Sequence, residues 1–154
     1  MCCPPPVRVY VSATLSDMSR ERHHLNETVF PHVRRLCEDR RIFFVAVDVR
    51  IGMVEESASA VEQCLDELRK CSVFLCFIGE KYGVRVDDVA PLVAARPWLE
   101  AMGGKSLVEV EAAYATIEEP ERFENRAFVY MRDPSYIDLL PGAARGDYQV
   151  NLWF

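Results

Sequence analysis

From Val7 the chain alternates, Val-Arg-Val-Tyr-Val, and the run VRVYVSA is rich in β-branched and aromatic residues, which predicts a strand from about Val7 to Val11. Beyond it Met18, Leu25, Val29, Val33 and Leu36 recur at helical spacing, with Asp17 placed to cap the first turn. Pro31 lies within that stripe; its ring removes an amide donor and crowds the preceding turn, so the helix is expected to kink or end early. RIFFVAVDV is nearly continuous in apolar residues, the pattern of a strand covered on both faces. After a loop carrying Gly52, the apolar positions Val61, Cys64, Leu65 and Leu68 mark a second helix whose outer side bears Glu62, Asp66, Glu67 and Arg69. SVFLCFIG reads as a third buried strand, KSLVEVEAAYA as a helix and RAFVYMRD as a fourth strand. The connection from Glu80 to Lys105, which includes RPWLEAMGG, exceeds the usual length between elements, and such loops are often functional.

Strands alternating with helices define an α/β chain with a parallel sheet, helices on both faces and right-handed crossovers. The three-layer flavodoxin-like strand order 2-1-3-4 fits, and the apolar end of PSYIDLLPGAARGDYQVNLWF offers a fifth, edge strand. Residues 1–6, with the Pro4 to Pro6 tract, are expected to form a disordered tail, and residues 7–154 a single domain. In such sheets ligands gather beyond the carboxyl ends of the strands where the order reverses, here between the first and third strands. SATLSD and GEKYG would wall that crevice.

A chain of 154 residues, 50% hydrophobic, suffices for one sizeable core. A net charge of -6 argues against nucleic acid as a partner, and the Arg34-Arg35 and Arg40-Arg41 pairs read as solvated helix ends. The six cysteines show no metal-ligand spacing; Cys64 and Cys76 sit in apolar context as small hydrophobes, which suits a reducing, cytoplasmic setting. No secretory signal and no membrane span is read from the chain. The MCCPPP start could be S-acylated at Cys2 or Cys3, with a disordered tail the ordinary alternative.

Two glutamates share the fourth-strand approach helix. Glu109 points away from its apolar face, whereas Glu111 lies about 40° from Leu107 on the stripe with Val110 and Tyr114. A carboxylate there must find a partner, border a cleft or shift its pKa. Arg22, near the apolar stripe of its own helix, is the most attractive partner, giving a structural ion pair; alternatively Arg22, Ser12 and Thr14 could meet a phosphate. Gly79 and Gly83 bracket Glu-Lys-Tyr82 and permit either a sharp structural turn or close approach of a ligand. Asp48 and Arg50 read as a loop-closing pair, Trp98 as an anchor of the long loop or a partner contact, and the adjacent His23 and His24 cannot share a metal. No Ser-His-Asp or Cys-His arrangement and no P-loop is present.

RVYVSATLSDMSRERHHL, VFPHVRRLCEDRRIFFVAVDVRIGMVEE, CLDELRKCSVFLCFIGEKYG and KSLVEVEAAYA occur in order over roughly Val7 to Asp133. Together they resemble the TIR-like domain of unknown function found N-terminal to NACHT domains in proteins of the telomerase-associated and NACHT and WD-repeat type. Ala13, Ile51 and Val108 depart from that pattern. The resemblance implies a signalling and assembly module of the innate-immunity, TIR type, at the front of a longer NACHT-type chain, with other protein domains or its own copies as partners and no resident cofactor. It also implies an alternative: TIR-like enzymes cleave NAD, and Glu111 would then stabilise the oxocarbenium character that develops on the ribose, with Ser12, Thr14, Arg22, Gly79, Tyr82 and Gly83 as ligand contacts.

Overall fold

The computed structural model describes residues 4–14, 17–49, 58–83, 85–139 and 141–142. Cys2, Cys3, Arg50 and the apolar run of residues 148–154 lie outside them. Four parallel strands, β1 (Val7–Ala13), β2 (Phe44–Val47), β3 (Val73–Ile78) and β4 (Ala127–Met131), form one sheet in the order β2-β1-β3-β4. Helices cover both faces, so the chain has the three-layer flavodoxin-like α/β arrangement.

The alternation within β1 divides the core. Val9 and Val11 pack on one face with Phe30 and Phe44, while Tyr10 joins Phe74, Leu65 and Val110 on the other. β1 is central and buried on both sides; β2 is an edge strand in which only Phe44 is fully buried, so its continuous apolar pattern overstated its cover.

Between β1 and β2 a helix runs without a break as α1 (Ser19–His24), a π-helical turn (Leu25–Val29) and α2 (Phe30–Glu38). Pro31 therefore does not end it. The widened turn, in which the Phe30 amide donates to the Leu25 carbonyl five residues back, precedes the proline and accommodates its missing donor. One extra residue in that turn shifts the buried stripe: Phe30, Val33 and Cys37 face the sheet, and Leu36, expected inside, is 43% exposed. Asp17 does not cap the helix either, since no side chain caps it and the Asp17 carboxylate binds elsewhere.

On the opposite face lie α3 (Ala58–Arg69), which buries Val61, Cys64, Leu65 and Leu68 as its spacing predicts, and α5 (Leu107–Ala113), which ends in a π turn at Tyr114–Glu118. The long connection is part of the core. It contains α4 (Ala90–Val93) and a 3-10 turn (Pro97–Met102), buries Val86, Leu92 and Leu99, and is fastened to α3 by Arg96, 2.7 Å from Asp66. Trp98 anchors it, packing against the core with its ring 6.1 Å from that of Tyr114.

The shifted stripe has a measurable consequence. Phe30→Ala, which removes a buried ring 5.5 Å from Phe44, is expected to cost about 3–5 kcal/mol, whereas Leu36→Gln should change stability by no more than about 0.5 kcal/mol. Urea unfolding of the two variants checks the register; equal losses would contradict it.

Candidate functional site

The carboxyl ends of β1 and β3 bring the sequence-predicted residues to one end of the sheet, but not as one cluster. Tyr10 and Ser12 are two residues apart on β1 and so project from the same face, beneath α5. Glu111 descends onto them and is 0% exposed. The Tyr10 hydroxyl donates to one carboxylate oxygen at 2.7 Å and the Ser12 hydroxyl to the other. Two hydroxyl donors of this kind let a carboxylate enter a dry interior, at about 1.5–3 kcal/mol for each bond to a charged group. Burial, followed by the adjacent Glu111 charge and then Cys64, drives the Tyr10 phenol far above its ordinary pKa, so it remains a donor.

Arg22 is not the partner that the sequence suggested for Glu111. Its guanidinium bridges the ends of β1 and β2, donating to the Asp48 carboxylate and, at 2.7 Å, to the Ala13 carbonyl. Pairing across strand ends explains why a buried arginine on the helix stripe is tolerated. Arg22 Nε, Asp48 Oδ1 and Thr14 Oγ1 are buried without a hydrogen-bond partner among the described residues.

Gly79 and Gly83 serve close packing. A Cβ at Gly79 would collide with the Asp17 carboxylate, and one at Gly83, where φ is +83°, would come within 2.9 Å of the Thr14 methyl. Tyr82 turns to the start of α5, donating to Glu109 and accepting from the Ser106 amide at 3.2 Å. Ser106 caps α5 by accepting from the Glu109 amide, and Lys105 sits 2.8 Å from the Glu109 carboxylate. The Ser-x-x-Glu signature in SLVE announces this cap, and Glu109 is thus a tethering residue rather than a merely solvated one.

The residue that sequence reasoning passed over is Arg132, just beyond β4. It reaches across the sheet end to Asp17 at 2.7 Å, Glu21 at 2.6 Å and Glu80 at 3.2 Å, and so joins the loops after β1 and β3 to the end of β4. Asp17 and Glu80 in the loops after the first and third strands, with Glu21 one turn further on in the helix, were the available signal, since such a group needs a cation. His23 and His24 are both exposed on α1.

Strand order, crossovers and the closed carboxylate define a small flavodoxin-like α/β domain whose polar residues fasten strand ends to helices. A family profile described as Domain of unknown function (DUF4062) matches residues 8–133, and the chain belongs to that family. It is 28% identical over 148 residues to telomerase protein component 1 of Mus musculus, covering 92% of this chain and 6% of that protein. It is 25% identical over 148 residues to a TPR repeat-containing protein of Dictyostelium discoideum (86% and 9%) and 37% identical over 87 residues to NACHT and WD repeat domain-containing protein 2 of Mus musculus (50% and 5%). The chain therefore spans less than a tenth of the length of each of these relatives. No solved structure matches it at a significant level.

The buried phenol and thiol predict alkaline lability. Cys71, pushed up to about 11 chiefly by burial, and Tyr10, raised further, both hold their protons in the fold at pH values where the unfolded chain releases them. Their stabilisation is complete below about pH 8.5 and is lost as pH rises, by up to about 1.4 kcal/mol per pH unit for each group. Above about pH 10, Tyr10→Phe should make the decline shallower than in wild type. Urea unfolding between pH 8 and 11 measures it, and parallel curves would refute the assignment to Tyr10.

Proposed function

We propose that this domain is a protein-interaction module, TIR-like in its assembly role, that works in the cytoplasm as the front part of a longer NACHT-type chain. The observation that carries the reading is the closure of Glu111. Its two oxygens are engaged by Tyr10 and Ser12 and its surface is fully covered, so the carboxylate is spent on holding α5 to β1. Relatives whose names record TPR or NACHT and WD repeats support a setting among other protein domains. Among the described residues no helix is long and apolar enough to cross a membrane.

NAD cleavage is the second reading. It is favoured by Thr14 Oγ1 and Arg22 Nε at the strand ends, which have no hydrogen-bond partner among the described residues and suit a polar ligand, with Ser12, Gly79, Tyr82 and Gly83 as the further contacts. That chemistry needs Glu111 against a ribose, and therefore needs α5 to part from Tyr10 and Ser12.

Glu111→Gln separates the readings. With two hydroxyls as its described partners, the amide retains one acceptor and loses the charge-assisted bonds, an expected cost of about 1–3 kcal/mol. The melting temperature should fall by roughly 3–10 °C, and neither wild type nor variant should release nicotinamide from NAD. Turnover by wild type that the variant loses, at an undiminished melting temperature, would replace the module reading with the enzymatic one.

A further inference from the structure

The outer edge of the sheet is unusual for its chemistry. Among the described residues β4 is an edge strand, and four consecutive residues, Phe128, Val129, Tyr130 and Met131, are 44%, 45%, 53% and 58% exposed. Edges are ordinarily blunted by charge, proline or a bulge, whereas Ala127–Met131 contains no charged residue and no proline. Both faces of the strand are open. Phe128 and Tyr130 share a face with Leu75 and Phe77, where the Tyr130 ring stacks 5.3 Å from that of Phe77; Val129 and Met131 lie on the other.

We propose that β4 is the self-association edge of the domain, at which a second copy adds its own β4 antiparallel about a two-fold axis through Val129. This rests on the assembly reading above and names the surface. The strand is complementary to itself in that register. Val129 meets Val129, Ala127 meets Met131, and Phe128 meets Tyr130, placing aromatic pairs directly opposite one another beside the Phe77 ring. The ends match in charge as well. Arg126 of the second copy falls opposite Arg132, whose guanidinium stands among the carboxylates of Asp17, Glu21 and Glu80, so the incoming cation meets a group with an excess of negative charge. A net charge of -6 on each copy opposes association and keeps the dimer reversible.

Sedimentation velocity on the full chain over a concentration series tests this. Wild type should move from one-chain to two-chain mass as concentration rises. Val129→Lys and Val129→Glu each place like charges on the axis and should remain single chains, while an equimolar mixture of the two should regain the two-chain species. Arg126→Glu, an exposed site outside the strand, should weaken the dimer without touching the fold, and it carries the test if either Val129 variant fails to melt cooperatively. Wild type monomeric at every concentration overturns the proposal. So does a dimer indifferent to these variants, which would place the interface elsewhere while the module reading stands. Dimerisation that appears only after removal of residues 147–154 overturns it too, by showing that the chain's own end occupies β4.

Discussion

A carboxylate shut away from water has to be bonded by whatever covers it, and Glu111 is bonded by the strand it sits on. Tyr10 and Ser12 hold it from β1, so the central strand and α5 are fixed in rotation and depth relative to each other. Apolar packing alone tolerates small slides between a helix and a sheet, whereas two hydroxyls aimed at two oxygens do not. The covering of the sheet on this face, from α3 through the long connection, is built around that fixed helix.

Two arginines secure the strand ends in a related way. Parallel strands converge their carbonyl ends on one side of the molecule, where the loops change direction and backbone acceptors are hardest to satisfy. Arg22 takes the Ala13 carbonyl and the Asp48 carboxylate, joining β1 to β2. Arg132 joins β4 to the loops after β1 and β3. The two guanidiniums together span every strand of the sheet, and they account for the charges buried at this end of the molecule among the described residues.

The alternation of apolar strands with helices carried the parallel sheet, the flavodoxin-like order fitted the strand count, and the spacing of apolar positions carried the buried faces of α3 and α5. The helix phase placed Glu111 on the apolar stripe, with a partner, a cleft or a shifted pKa left open, and the structure buries it. Its partners were hidden for a physical reason: Ser12 reads as a candidate phosphate contact and Tyr10 as one residue of an alternating strand, and nothing in the strand's own pattern says which helix its register turns them toward. Arg22 was matched to the wrong acid because distance between elements is not encoded in either helix pattern. The stripe failed at Leu36 because a π turn inserts one residue that no fixed period anticipates. Glu109, by contrast, was legible in SLVE as the third residue of a Ser106-capped turn and was missed by attending only to its outward phase.

The connection between β3 and α5 has a length usually associated with lids, yet Val86, Leu92 and Leu99 are buried within the main core. Its backbone is also tied to the base of α5, with the Val86 amide donating to the Lys105 carbonyl at 2.8 Å and the Gly104 amide to the Val86 carbonyl at 2.9 Å. A segment built this way cannot detach as a low-energy fluctuation, since lifting it would open the same hydrophobic interior that the sheet closes. Its described residues belong to the cooperative unit of the fold, so their hydrogen-bonded amides should exchange with solvent only through openings close in cost to global unfolding, where the chain length alone would suggest a gate.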